Sequence, residues 1–572
     1  MRAGLFLALF LFVLILPVHA LKETTIYMPA VEETDYGQSG VMATLTVNVK
    51  EGSGHVYVDT WPLAKIDTQA SARIARDVAC NSLYIDCSRY DFFYTIRSDA
   101  EIVGGPSGGA AMAIATLASL LDLEINNHVL ITGTINPDGS IGPIGGIIEK
   151  AQASSEKGSI FLIPDGQNLV KTDKGDVDIK KYAKDNWNLT VTQVKDIKES
   201  FSYFTNYVLK EKTMQFVKTE QYQTVMKGFG LELINHSKEL QNVCIDNAKI
   251  SKIDYLSKEQ IMDLCNQTLD EAQSSFDDKT YYSAASLAFS TSISYQYGIK
   301  LSGFLNSSDK KEFAKTYLDS LGAEKLEINT TNIELYAIIE ERYSDALDNI
   351  DLGWKDYYEG NYSKAVYDGA YAEERLYTAK LWNQHSEDFP LYIKTTSDQL
   401  SLVSNNAISD AYSVFTYTNL VAPGTLSFEA GSLIDKAREK HKKGNYYTAI
   451  ILALKAKSDA EIACEVAGKT NYDYILSLHK KSALIAINST NSIIGQSYFE
   501  YGQTLEKTNK MSALMYYTYA EKMSKLNDLV NQKVISPSIE PTEYIEPLKY
   551  DYINSPFLSS YISSFLSYWF FI

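Results

Sequence analysis

The chain runs to 572 residues, 45% of them apolar and 22% charged, a length that calls for at least two domains and a composition that can bury their cores. Its 71 acidic and 53 basic side chains leave a net charge of −18, and no basic cluster interleaved with aromatic residues stands out, so nucleic acid is not an expected partner. Acidity spread over so long a chain is a solubility property and specifies no substrate.

Residues 1–20 begin with Arg2, continue through an apolar run over 5–16 that is too short for a comfortable membrane span, and end on Val18-His19-Ala20. This is the pattern of a signal peptide or, uncleaved, of an N-terminal anchor. The chain is therefore expected outside the cytoplasm, secreted or membrane-anchored at the cell surface. From 21 to about 210, strand patterns at 41–49 and 55–58 mix with helical spacing that includes Thr68-Gln69-Ala70-Ser71-Ala72-Arg73-Ile74-Ala75.

Proline cannot sit inside a helix, so Gly104-Gly105-Pro106 reads as a turn, and the run over 108–121 is rich in Ala, Met, Ile and Leu at helical spacing. Ser107 then falls at a helix N-terminus. There it serves either as an N-cap or as a nucleophile, since unpaired N–H groups and the positive end of the helix dipole can hold a developing oxyanion. Gly108, Gly109, Ala110 and Ala111 leave room for a substrate carbonyl. Downstream, 129–135 predicts a strand, Asn136-Pro137-Asp138-Gly139 a turn and 141–144 a short return leg. Gly145-Gly146 then opens a helix that carries Lys150, 43 positions after the serine.

A serine hydroxyl is a poor nucleophile until a neighbouring base takes its proton, and a lysine can do so only when neutral. With an ordinary pKa of about 10.4, roughly one lysine in a few thousand is neutral at pH 7, so a depression of about three units is required. Burial is the usual means, and Pro143, Ile144, Ile147, Ile148 and the alanine-rich helix are placed to supply it; Glu149 opposes it if it faces the same pocket. His55 and His128 flank this segment without a metal-type spacing such as H-E-x-x-H, and no cofactor or metal is expected.

These residues resemble the proteolytic domain of the Lon protease family (peptidase S16), which works through a Ser-Lys dyad. The matching pieces are Gly105-Pro106-Ser107-Gly108-Gly109, then Thr132-Gly133, then Pro143-Ile144-Gly145-Gly146 through Glu149-Lys150, in the family's order and spacing; the helix at 68–75 is similar as well. The resemblance implies an α+β Lon-type proteolytic domain (ribosomal protein S5 domain 2-like), with Ser107 as nucleophile, Lys150 as general base and Thr132 orienting the lysine amine. It implies Gly105, Pro106 and Gly108 as the supporting turn, polypeptide substrates, and a ring-shaped homo-oligomer with a hexamer as the suggested count. The chain departs from the family at Gly104, where many members carry an acidic residue, and at Thr134, where many carry glutamate.

Lon enzymes usually carry an ATPase module, yet no G-x-x-x-x-G-K-[ST] loop occurs in these 572 residues; Gly468-Lys469-Thr470 follows Ala463 where the first glycine should stand. A stand-alone domain that works without ATP is the expectation. From 211 to 535 the pattern is almost wholly helical. Thr280-Tyr-Tyr-Ser-Ala284, Asn361-Tyr-Ser-Lys-Ala365, Asn445-Tyr-Tyr-Thr-Ala449 and Asn509-Lys-Met-Ser-Ala513 recur between helical runs. They resemble the turn and second helix of tetratricopeptide (TPR) hairpins, although spacings of 81, 84 and 64 residues exceed a tandem unit and suit long hairpins or a plain helical bundle.

A proline-containing linker over 536–556 leads to an uncharged segment over 557–572, read as a membrane anchor or as an apolar tail that packs on the protein; sixteen residues give roughly 24 Å of helix. Cys80 with Cys87 and Cys244 with Cys265 are spaced for disulfides in an oxidising compartment, leaving Cys464 over, and buried thiols are the alternative. Seven N-x-[ST] sequons, at Asn188, Asn235, Asn266, Asn306, Asn329, Asn361 and Asn488, are compatible with an external location. The expected function is an ATP-independent serine endopeptidase acting on extracytoplasmic or membrane-associated proteins. The rival is a non-catalytic assembly or client-binding protein on a retained protease fold.

Overall fold

The computed structural model describes residues 23–531, apart from 35–36, 104, 173–174, 211–213, 323–324, 329, 331, 386–394, 425–427 and 468–471. The expected leader at 1–20, the linker at 536–556, the apolar segment at 557–572, Gly104 and Asn329 lie outside the described residues. Among the described residues no helix is long and apolar enough to cross a membrane.

The chain divides into two compact units. Of the described residues, the first takes in those up to 210 together with 412–424 and 460–467, and the second takes in the rest. The helical stretch expected over 211–535 contributes to both units. Two of its segments belong to the first unit because Tyr417 and Cys464 are buried in that unit's core.

In the first unit, β1 (Thr24–Thr34), β2 (Gly37–Glu51), β3 (Val56–Ala64) and β4 (Tyr90–Val103) form a sheet of order β1-β2-β4-β3. β2 is antiparallel to both neighbours, and β3 runs parallel to β4. Side chains alternate across a strand, so Ala43, Leu45, Val47 and Val49 turn to one face and are buried, with Leu45 between Ile26 and Ile96 in register. α1 (Ile66–Leu83) and α2 (Gly109–Leu121) share a core with that face, α2 through an unbroken buried run from Gly109 to Ser119.

A second, parallel sheet has the order β11 (Thr190–Val194), β8 (Ile160–Pro164), β5 (Val129–Ile131). Its core takes Ile147 and Ala151 from α3 (Ile147–Ser155) and Ile179 and Ala183 from α4 (Ile179–Trp187). β9 (Leu169–Thr172) and β10 (Gly175–Asp178) make a hairpin, and α5 (Ile197–Thr205) follows β11. The single strand expected over 129–135 is broken into β5 and β6 (Thr134–Ile135), which pairs with β7 (Ile141–Gly142). The break has a cause in the hydrogen bonding. Thr132 N–H is taken by Leu162 O at 3.1 Å in one direction, and Gly133 N–H by Ser107 O at 2.9 Å in another.

The second unit is helical. Its helices are α6 (Glu220–Ile250), α7 (Tyr255–Cys265), α8 (Asp270–Asp277), α9 (Tyr281–Asn306), α10 (Lys310–Gly322), α11 (Ile333–Tyr358), α12 (Tyr362–Gln384), most of α13 (Ser397–Val421), α14 (Phe428–Lys442), most of α15 (Tyr446–Val466), α16 (Asp473–Thr490), α17 (Ile493–Leu505), α18 (Lys510–Ser524) and α19 (Leu526–Asn531). The four recurring motifs each start a helix, namely α9, α12, α15 and α18, and their alanines 284, 365, 449 and 513 are all buried. Gly360 and Gly444 take φ of 86° and 82° in the preceding turns, a conformation costly to any residue with a Cβ.

Buried carboxylates satisfy the orphan N–H groups at several of these starts. Glu334 accepts from Ile493 and Ile494 at 3.0 and 3.3 Å, Glu500 from Tyr282 and Ser283 at 2.8 and 3.2 Å, and Glu340 from Thr448 at 3.2 Å. Cys80–Cys87 and Cys244–Cys265 are bridged, with Cα separations of 5.8 and 5.6 Å, and Cys464 keeps a thiol that donates to Asn136 Oδ1 at 3.4 Å.

Leu45 is the centre of the first sheet's buried face, so Leu45→Ala is expected to destabilise the first unit by about 3 kcal/mol. Urea unfolding followed by circular dichroism measures it; a loss under about 1 kcal/mol would mean that this face is not a packed core.

Candidate active site

Ser107 lies in a short 3-10 turn, Pro106–Gly108, directly before α2. Gly105 enters that turn with φ of 99°, and its N–H donates to Asp67 Oδ2 at 2.9 Å. Asp67 sits in the first turn of α1, where its other oxygen accepts from Thr68 N–H at 2.7 Å. Ser107 is not the N-cap of α2. That position belongs to Gly108, and the serine side chain makes no capping bond.

The hydroxyl instead meets Lys150, whose Nζ stands 2.9 Å from Ser107 Oγ. Lys150 is in the first turn of α3, behind Gly146, which caps the helix with φ of 66°. The lysine is buried, at 4% exposure. Burial pushes its pKa down from 10.5 to about 8, and the charge of the adjacent Glu149 opposes the shift without cancelling it. A lysine of that pKa is neutral in about one molecule in ten at pH 7, against one in a few thousand for a solvated one. The burial does not come from Pro143, which is exposed; Ile147 is buried and Ile144 and Ile148 are half-buried.

Thr132 is fully buried beside the pair, and its hydroxyl donates to Ser107 O at 3.4 Å rather than to the lysine amine. Its contact thus fixes the backbone that carries the serine. Neither histidine of the region joins the pair. His55 contacts Ser53 Oγ at 2.9 Å and Asp91 Oδ1 at 3.5 Å, and His128 lies in the turn before β5. Among the described residues no group of three or more His, Cys, Asp or Glu is placed to hold a metal ion.

Close packing leaves no space for side chains where the elements meet. A Cβ on Gly40 of β2 would stand 2.0 Å from Glu149 O in α3, and one on Gly108 would stand 2.5 Å from Met28 Sδ in β1. Both strands therefore brace the dyad, one behind the lysine and one behind the serine. Thr134 is buried in β6 beside Gly142.

Residues 83–204 match the Lon protease (S16) C-terminal proteolytic domain. That stretch includes Ser107, Thr132 and Lys150. The relatives agree. The chain is similar to a Lon protease of Paraburkholderia phytofirmans, 30% identical over 123 residues that make 21% of this chain and 15% of that protein. An archaeal Lon protease of Methanothermobacter thermautotrophicus is 28% identical over 100 residues, 18% of this chain and 15% of the relative. Lon protease 2 of Bacillus subtilis is 39% identical over 61 residues, 11% of each. The likeness is confined to the proteolytic domain, and the chain spans only about a seventh of the first relatives' length. The match supports a serine peptidase domain over that stretch.

Sequence reasoning missed Asp67. The helix start at 66–68 is legible, but nothing local shows that its carboxylate reaches Gly105 across 38 positions. Of the residues it named, Gly105, Pro106 and Gly108 adjoin Ser107 in its turn, Lys150 meets the serine hydroxyl and Thr132 the serine carbonyl.

The lysine's depressed pKa has a stability consequence of definite sign. Below pH 8 both folded and unfolded chains hold the proton, and the folded chain carries the full cost of the buried charge, on the order of 3 kcal/mol. Between pH 8 and 10.5 the folded chain has released a proton that the unfolded chain still binds, so that cost falls as pH rises. Lys150→Met is therefore expected to stabilise the first unit at pH 7 by about 1–3 kcal/mol and to lose that advantage toward pH 11, as urea unfolding at the two pH values would show. A Met variant less stable than wild type at pH 7 would contradict the buried, strained charge.

Proposed function

We propose that the chain is a serine endopeptidase that hydrolyses peptide bonds through a Ser107–Lys150 dyad without ATP. The 2.9 Å contact between a buried lysine amine and the serine hydroxyl carries the reading. Neutral Lys150 takes the hydroxyl proton as Ser107 Oγ bonds to the peptide carbonyl carbon, and the carbonyl electron pair moves to oxygen. The backbone N–H of Ser107, with a neighbour from the glycine-rich turn, holds that oxyanion. As the tetrahedral species collapses, the C–N bond breaks and the departing amine takes the proton from the Lys150 ammonium. Water then gives a proton to Lys150 and attacks the ester, and Ser107 Oγ recovers its proton as the acid leaves.

The first unit is read as a Lon-type, ribosomal protein S5 domain 2-like fold, and the absence of a P-loop from the 572 residues supports independence from ATP. An extracytoplasmic location, at the cell surface and on extracytoplasmic or membrane-associated polypeptides, is supported by the two disulfides. The sequons agree with it, since Asn188, Asn235, Asn266, Asn306, Asn361 and Asn488 are all exposed. A ring-shaped homo-oligomer, of six copies in the family's manner, would admit only extended chains. The helical unit, with TPR-like starts to four helices, would serve the same substrates by holding them.

The test is cleavage of an unfolded protein by the full chain, with and without ATP, beside Ser107→Ala and Lys150→Ala. Cleavage that is indifferent to ATP and falls by at least about 10³-fold in each variant is the expected result. Its rate should rise about tenfold per pH unit up to about pH 8 and level off above it, because only the neutral lysine accepts the proton. A folded wild type that cuts nothing, or that is no more active than Ser107→Ala, sinks the reading and favours the non-catalytic one.

A further inference from the structure

Tyr417 lies in the part of α13 that belongs to the first unit, and it is fully buried. Its hydroxyl accepts from Ile135 N–H at 3.2 Å and donates to Ile135 O at 2.8 Å, a contact that spans 282 residues of sequence. Alternate residues of an antiparallel strand direct their N–H and C=O to opposite edges. Asn136 N–H turns toward the return leg, donating to Ser140 O at 2.9 Å, so Ile135 presents its two polar groups on the other edge. Among the described residues no further strand pairs on that edge. One hydroxyl supplies both of the bonds that a neighbouring strand would have made.

What β6 and the residue before it hold is the serine turn. Gly133 N–H donates to Ser107 O at 2.9 Å, and Gly133 O accepts from Ala110 N–H at 3.1 Å in the first turn of α2. The Ile135 side chain lies against Gly109 so closely that a Cβ there would stand 2.6 Å from Ile135 Cγ2. Residues 132–135 are thus fastened to the serine turn on one side and to Tyr417 on the other.

The helix segment that brings the phenol is itself fixed to the first unit. Arg73 Nη1 of α1 donates to Ser413 Oγ at 3.1 Å, and Thr418 Oγ1 donates to Ala460 O at 2.8 Å. Cys464 Sγ donates to Asn136 Oδ1 at 3.4 Å, at the turn that follows β6. Burial also holds the phenol's proton in place well beyond the ordinary tyrosine range, so it remains a donor at any working pH.

We infer that Tyr417 is a positioning residue for the Ser107–Lys150 pair, acting through the β6 backbone, so that the proteolytic centre is complete only with a helix from far downstream of the protease segment. The inference rests on the dyad reading given above. It also means that residues 21–210 alone lack a part of the support for their own serine.

The test compares wild type, Tyr417→Phe, Thr418→Val and Ser107→Ala as full chains, at a temperature where circular dichroism shows all four folded. Phenylalanine keeps the ring and removes the hydroxyl. Thr418→Val removes an equally buried hydroxyl bond from the same helix without touching β6. Tyr417→Phe is expected to lower kcat on an unfolded protein by about tenfold or more with KM within about twofold, while Thr418→Val stays within about twofold of wild type. An unchanged kcat in Tyr417→Phe, or an equal fall in Thr418→Val, overturns the inference and leaves the dyad standing. A wild type no more active than Ser107→Ala overturns the dyad instead.

In that case, or if Tyr417→Phe does not fold, native-state hydrogen exchange on the wild type decides the structural point. The amides of Gly133 and Ala110 are expected to open together with those of residues 412–421 as denaturant is raised. Protection at Gly133 and Ala110 that outlasts the exchange of that helix segment would overturn the inference.

Discussion

A lysine amine 2.9 Å from a serine hydroxyl can act on it only if the amine is uncharged, and water would keep it charged. The first unit answers that one requirement. Its longest buried helix begins at the serine turn, and its second core closes around the helix that carries the lysine. Two glycines let β1 and β2 approach within contact distance of the segments that carry Ser107 and Lys150. The cost is a buried cationic site that a methionine would fill more favourably, the usual conflict between a working site and the most stable packing.

Support for the serine comes from several directions, none of them adjacent in sequence. Asp67 holds Gly105 from α1, Thr132 and Gly133 hold the carbonyl of Ser107 from the β5–β6 junction, and Tyr417 holds β6 from α13. All of these contacts except the phenol's lie within the first 135 residues. The helical sequence is therefore not simply appended to the first unit; two of its segments are structural parts of that unit.

The site was more legible in the sequence than the fold around it. Ser107, Thr132 and Lys150 were visible because glycines and a proline in fixed order mark the turns on which they sit, and such turns tolerate few other residues. The expected helix over 108–121 emerges as Gly109–Leu121, since hydrophobic spacing reports helices well. The strand over 129–135 was misread because periodicity is blind to a change of hydrogen-bond partner at Thr132 and Gly133. Pro143 was assigned to the lysine's apolar surroundings by proximity in sequence, yet it faces solvent. Tyr417 and Cys464 look like ordinary residues of amphipathic helices, and no local pattern reveals a partner hundreds of residues away. Tyrosine is abundant, at 41 of the 572 residues, and acquires a physical meaning only in three dimensions. Tyr282, Tyr498, Tyr501, Tyr516 and Tyr519 stack edge to face or tilted within one cluster of the helical unit, and the Tyr519 hydroxyl donates a hydrogen bond to Asp459 at 2.7 Å.

The central claim is that Lys150 is a buried amine poised to be neutral near physiological pH. The most direct measurement is an NMR titration of the full chain carrying isotope-labelled lysine, with the Lys150 resonance identified by its loss in Lys150→Met. A midpoint near pH 8, well below that of the surface lysines, is the result this structure requires. A midpoint at the ordinary lysine value of about 10.4 would mean that the amine is solvated and charged, and that Ser107 has no base beside it.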